Sequence, residues 1–258
     1  MRFQKCWRVV EMENKEIELI VNGKRLDGRG LHDLRPIKIK VGVLEDADGS
    51  ASVEWGGNKV VAGVYGPSEC IPKHIENPYK AVVKCQYMMS TFCSLEEHGR
   101  MGPNRRSIEI SKVIRQALEN VIMVELFPRS QIEVYAIVLQ ADGGTRISAL
   151  TAAVAALIDA GIPLRDSIVG LSVGKAGDKI IVDLGKMEDN FGQSDVPIAF
   201  TSRDKDILLL QMDGLLTKEE LSKMIDLAFK KGDDINQLLR RAIEEKYRET
   251  VSKRLRIG

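Results

Sequence analysis

The stretch Thr145–Gly161, TRISALTAAVAALIDAG, constrains this chain more than any other. Alanine and aliphatic residues run through it with no polar stripe, and a helix that is apolar almost all round has to be buried. Thr145 stands at its start as the expected N-cap, and Gly161 and Pro163 stop it. The segments around it are strand-like. RPIKIKVGVL reads as a strand, and GSASVEWGGNKVVAGVYGP as a hairpin of Ala51–Trp55 and Lys59–Tyr65 around a Gly-Gly-Asn turn. AVVKCQYMM is a further strand. SQIEVYAIVLQ is another, with Ile132, Val134, Ala136 and Val138 on one side. SIVGLSVGKAGDKIIVDL and VPIAFTSRDKDILLLQMDG read as two more hairpins.

Between them lie amphipathic helices. From Ser107 to Leu126 the apolar residues Ile110, Val113, Ile114, Ala117, Leu118, Val121 and Val124 share a face, and Pro128 ends the run. The capping-box pattern Thr217–Glu220 opens a helix, and a charged one follows from about Asp233 to Arg254. Hairpins alternating with helices predict an α+β domain, a two-layer arrangement of mixed or antiparallel sheets packed with helices, not a doubly wound parallel sheet. The organisation expected is an N-terminal extension over residues 1–18, poorly ordered, then 19–165, then 166–258.

A formal net charge of +1 neither demands nor excludes a polyanionic partner, so any such binding has to come from local clusters. Cys6, Cys70, Cys85 and Cys93 have no CxxC spacing, and His32, His74 and His98 are scattered. That pattern argues against a zinc site or a disulfide framework and fits reduced thiols in the cytoplasm. No apolar run reaches the length of a membrane span, and the N-terminus is too polar for a signal peptide.

Two helix starts break a local rule. A helix N-terminus carries partial positive charge, which makes arginine there unfavourable. Yet one helix begins PNRRSIE, with Arg105 and Arg106, and the Ala-rich helix begins DGGTRIS, with Arg146 in its first turn. An anion at both ends would offset the repulsion. In LQADGGTR a strand runs into Gly143-Gly144 and then a helix. Glycines let backbone approach a ligand, free N–H groups at a helix start bind phosphate, and a guanidinium adds bidentate contact. The alternative is a plain tight turn. The Walker sequence GxxxxGK[ST] is absent.

The stretch EDNFGQSD, Glu188–Asp195, holds three carboxylates in eight residues. As the loop of a hairpin around Phe191–Gln193 it would set Asp189 opposite Asp195. Two carboxylates that close either raise one pKa, making a general acid, or are neutralised by a divalent cation such as Mg²⁺ or Mn²⁺. A solvated acidic turn is the other reading.

Taken in order, NRRSIEIS, LQADGGTR, VDLGKMEDNFGQSDVPIA and LLQMDGLLTKEE resemble the RNase PH family, in the form of the catalytic RNase PH-like subunits of archaeal exosomes. The opening RLDGRGLHDLRPIKIKVGVL carries the same likeness, which spans Lys24 to Tyr247. The resemblance implies an RNase PH fold and a phosphorolytic 3′→5′ exoribonuclease acting on single-stranded RNA, with inorganic phosphate as co-substrate and Mg²⁺ or Mn²⁺ as cofactor. It implies phosphate binding by Gly144, Thr145 and Arg146, RNA-phosphate contacts by Arg105 and Arg106, and catalysis and metal binding by Asp189 and Asp195. It further implies a hexameric ring, three copies alternating with three of an inactive RNase PH-like subunit, with RNA-binding cap subunits on one face and Lys73 and His74 as pore contacts. The alternatives within the resemblance are a non-catalytic scaffold subunit and a stand-alone bacterial-type RNase PH trimming tRNA ends.

Overall fold

The computed structural model describes residues 19–21, 23–94 and 103–255. The expected N-terminal extension and most of the loop ahead of Arg105 lie outside the described residues.

Two short strands, β1 (Ile20–Val21) and β2 (Lys24–Arg25), form an N-terminal hairpin. The first large sheet contains β3 (Ile37–Val41), β4 (Gly49–Trp55), β5 (Asn58–Glu69), β6 (Val82–Met89) and β7 (Ser130–Gln140), in the order β3-β4-β5-β7-β6. Its pairs are antiparallel except β6 with β7, which is parallel. The second sheet runs β11-β10-β8-β9, with β8 (Ile168–Ala176), β9 (Lys179–Val182), β10 (Ser194–Thr201) and β11 (Ile207–Leu210), and β12 (Asp213–Gly214) pairs with β10. Among the described residues four α-helices accompany them: α1 (Arg105–Val121), α2 (Thr145–Asp159), α3 (Lys186–Phe191) and α4 (Lys218–Leu255). The fold is α+β.

The Ala-rich helix α2 explains the architecture. It packs on β4, β5 and β7 of the first sheet and on β8 and β10 of the second, so every side needs an apolar residue. Small side chains let backbone come close: a Cβ on Gly49, at the start of β4, would lie 2.3 Å from the Ala156 carbonyl oxygen. One apolar cluster runs through both sheets, from Trp55 and Val60 through Leu150 and Leu157 to Leu171 and Phe200. Helix α1 covers β6, and α4 lies across strands of both sheets.

Two expected boundaries move. Helix α1 ends at Val121 and not at Leu126, because the backbone beyond it bonds to residues 163–165: Met123 N–H donates to the Pro163 carbonyl at 3.1 Å and Arg165 N–H to that of Val121 at 2.7 Å. The two C-terminal helices are one, α4, and Gly232 does not interrupt it. Gly232 serves packing instead, since a Cβ there would lie 2.4 Å from Phe200 Cζ.

Candidate active site

Strand β7 leads through Asp142 into Gly143 and Gly144, and α2 begins at Thr145. Thr145 is not the N-cap. Gly144 holds that position in the left-handed region, φ 67°, and no side chain caps the helix. The Thr145 hydroxyl lies instead 3.0 Å from that of buried Tyr87. Gly143 has φ 74° and rests on the backbone of the segment leading into α3, where a Cβ would meet Gly185 C at 2.7 Å and Lys186 N at 2.8 Å. The glycine turn and the acidic segment are thus in direct backbone contact.

That acidic segment is not the loop of a hairpin. Residues Lys186–Phe191 form the short helix α3, because the Glu188 carboxylate accepts from Gly185 N–H at 2.8 Å and closes its first turn. Glu188 is buried and ion-paired with Arg25, so it takes no part in the cavity. Asp189 projects from α3 and Asp195 from β10, and both line one cavity of about 540 Å³. Burial pushes the Asp195 carboxyl up to about 7; the neighbouring Asp189 charge adds to this and Arg146 opposes it. Asp195 Oδ1 is buried and has no hydrogen-bond partner. Asp213, paired with Asp195 in the β10–β12 ladder, faces the same space and pushes in the same direction.

Gly144, Thr145, Arg146 and Arg106 line the cavity too. Arg146 donates to the Gln211 side-chain oxygen, and Gln211 Nε2 donates to Glu109 at 2.9 Å, tying the starts of α1 and α2 together through the end of β11. Arg105, one residue from Arg106, is exposed and does not line the cavity. Lys73 and His74 sit on an exposed 3-10 turn, Lys73–Ile75, and are not among its lining residues; Lys73 pairs with Glu69 at 3.1 Å.

Ser172, on β8, was not singled out in the sequence. Its hydroxyl is buried without a partner and lines the cavity, 3.6 Å from where a Gly144 Cβ would be. In GLSVG it reads as one more strand residue, and only the unfilled hydroxyl marks it. Among the described residues no group of three or more His, Cys, Asp or Glu side chains is arranged to hold a metal ion. The pair Asp189 and Asp195 still suits Mg²⁺ or Mn²⁺, which take one or two carboxylates and complete their shells with water and substrate phosphate. A second cavity of about 510 Å³ lies on β5 and β7 among Val61, Tyr65, Tyr135 and Ile137. Its lining is mainly apolar, so chemistry and not size separates the two.

An uncapped helix start, two arginines and a pair of neighbouring acids in one polar cavity suit chemistry at a phosphodiester. Comparison with known families agrees. Residues 33–163 match domain 1 of the RNase PH, or 3′ exoribonuclease, family and residues 166–231 match its domain 2. The chain belongs to this family and is a phosphorolytic 3′→5′ exoribonuclease of the RNase PH type. Over 226 residues it is 54% identical to the exosome complex component Rrp41 of Pyrococcus furiosus, covering 88% of this chain and 90% of the relative. It is 52% identical over 238 residues to that of Thermoplasma acidophilum, covering 92% and 96%. Among solved structures, rice Rrp46 superposes with TM-score 0.77 at 27% identity, covering 85% of this chain and all (100%) of that one. An Archaeoglobus fulgidus exosome with RNA bound to its active site gives TM-score 0.72 at 23% identity, covering 92% and 97%, a likeness of fold. No helix among the described residues is long and apolar enough to cross a membrane.

Proposed function

We propose that the chain is the catalytic subunit of an exosome and that the cavity is its phosphorolytic centre. The observation that carries this reading is the single cavity shared by the open start of α2, Arg146 and the Asp189–Asp195 pair. Inorganic phosphate is held by the free N–H groups at Gly144 and Thr145, by the Arg146 guanidinium and by the Ser172 hydroxyl. Arg106 holds the RNA phosphate at the cut, with Arg105 on the strand just behind it. An oxygen of the inorganic phosphate attacks the last phosphodiester phosphorus. The P–O3′ bond breaks, the 3′-oxygen takes a proton, and a nucleoside diphosphate leaves.

Asp195, with its raised pKa, gives that proton, and Asp189 keeps it raised. No side-chain nucleophile is needed. Mg²⁺ or Mn²⁺ is the alternative way to neutralise the pair: both carboxylates would then be ionised and hold the ion, which would screen the charge between the two phosphates and serve the leaving 3′-oxygen in place of the Asp195 proton. The two matched segments divide the labour: 33–163 contains the arginines and the phosphate turn, and 166–231 contains the acids.

In this reading three copies alternate with three of an inactive RNase PH-like partner in a hexameric ring. Cap subunits sit on one face, and single-stranded RNA enters past Lys73 and His74. The names of the relatives support exosome membership. The free thiols of Cys70, Cys85 and Cys93 support a cytoplasmic location. The test is to incubate the chain, with and without its ring partner, with poly(A), Mg²⁺ and phosphate. ADP should accumulate; AMP released without any phosphate requirement would refute phosphorolysis. Asp195→Asn should bind RNA nearly normally and not turn over. RNA binding lost with turnover retained would remove Asp195 from its role.

A further inference from the structure

Arg25 and Arg29 precede residue 33, where the family match begins, and Arg35 lies just inside it. All three reach across the fold to one short segment, Val182–Glu188, the approach to α3. The Arg25 side chain is 0% exposed. Its Nε donates to Glu188 Oε1 at 2.6 Å and its Nη2 to Glu188 Oε2. Its Nη1 donates to the Val182 carbonyl at 2.6 Å and its Nη2 also to that of Asp183 at 2.7 Å. Arg25 thus grips both ends of the segment, and the residue after Glu188 is Asp189. Arg29 Nη1 adds a bond of 3.2 Å to the Asp183 carbonyl.

Arg35 works on the other side. Its backbone N–H and Nη2 donate to the Asp183 carboxylate at 2.6 and 2.7 Å, and Trp55 Nε1 donates to it at 3.0 Å. The same guanidinium donates from Nη1 to the Asp142 carbonyl at 2.5 Å and from Nη2 to that of Gly143 at 3.4 Å. One network therefore joins the approach to the acidic helix to the glycine turn. Apolar contacts of Leu19, Ile20 and Leu31 with Ala176, Ile181, Leu184 and Met187 fasten the N-terminal segment there.

Buried ion pairs are a poor source of stability, because desolvation offsets their attraction. What a guanidinium fork does supply is direction: two donors at fixed spacing define where a carboxylate lies. We propose that the N-terminal arm, residues 19–35, is a positioning clamp for the reaction. Arg25, through Glu188, sets Asp189 against Asp195. Arg35, through Asp183 and the carbonyls of Asp142 and Gly143, sets the phosphate turn. The inference rests on the phosphorolytic reading of the cavity.

Two arginines of one arm then act on different kinetic constants. Arg25→Lys, Arg35→Lys and Glu188→Gln are assembled with the ring partner, and ADP release is measured against phosphate concentration. Assembly and cooperative thermal unfolding are checked first. Arg25→Lys and Glu188→Gln should lower kcat by roughly 10- to 100-fold, the effect of a small misplacement of a catalytic group, and leave the phosphate KM within about twofold. Arg35→Lys should raise the phosphate KM about tenfold with the smaller loss in kcat. A double replacement, Arg25→Met with Glu188→Leu, should fold at least as stably as the single variants and stay slow.

Unchanged kinetics in the folded variants, the same fall in kcat in all three at constant KM, or recovery of turnover in the apolar double variant would each overturn the clamp. A wild-type complex with no phosphate-dependent ADP release would sink the functional reading, and the clamp with it. Normal wild-type turnover beside unaltered variants would sink the clamp alone.

Discussion

The two helices that begin with arginine are closed in opposite ways. Helix α1 is sealed by its own side chains: Asn104 Oδ1 accepts from Ser107 N–H at 2.8 Å, and Ser107 Oγ accepts from Asn104 N–H at 2.8 Å. Its arginines are exposed, where solvent screens their repulsion from the helix end. Helix α2 starts at a left-handed glycine with no side-chain cap, in the middle of the shared core. Arginine at a helix start therefore does not by itself mark a ligand. Unfilled N–H groups do; α1, whose end is capped, brings Arg106 and Glu109 to the cavity.

Closing the open start should have the largest effect. Gly143→Ala puts a Cβ 2.7 Å from the Gly185 carbonyl carbon at φ 74°, so the turn or α3 must shift; turnover should fall about a hundredfold or more in an ADP-release assay at saturating phosphate. Arg146→Ala should raise the phosphate KM by roughly 10- to 100-fold, and an unchanged phosphate dependence would remove that arginine from the anion site. Ser172→Ala, which removes only the orphaned hydroxyl beside the open start, should raise the same KM by about three- to tenfold.

The acid facing the open start has a signature in stability. Asp195 titrates near 7 when folded against 3.8 when unfolded, so in metal-free buffer stability falls as pH rises between those values and is level above them. Asp195→Asn should therefore unfold at a higher temperature than wild type, by a gap that opens between about pH 4 and 7; a gap independent of pH would refute this. The smallest effect belongs to the sealed start. Asn104→Ala should cost about 1 kcal/mol of stability in thermal unfolding and leave the phosphate KM alone.

The sequence reveals what local rules write. Alternation in the strands, the all-apolar α2, the glycine pair before it and the two acids spaced by six residues were all readable because each signal lies within a few residues. Longer-range determinants were not. Arg25 and Glu188 are 163 positions apart, and nothing near either says that they meet. Helix α3 is only six residues long, too short for a 3.6-residue period to register, so a helix held by Glu188 and Arg25 read as a hairpin loop. The chain reads as two helices meeting near residue 233, where a glycine weakens a helix locally, whereas the role of Gly232 is to admit the Phe200 ring. Ser172 was invisible for a different reason: what marks it is the absence of a partner, which only coordinates reveal.

Helix α2 has one more consequence. Its far end is pinned as firmly as its start is open: Ser50 N–H donates to Asp159 at 2.9 Å, and Lys246 of α4 pairs with the same carboxylate. In the proposed reading, the element that would receive phosphate is thus also the element on which both sheets are assembled. Occupancy of the site and integrity of the fold are linked equilibria, and phosphate at a hundred times its dissociation constant would stabilise the native molecule by about 2.7 kcal/mol. A cell rich in phosphate would hold this protein in a more heat-resistant form than one that is starved of it.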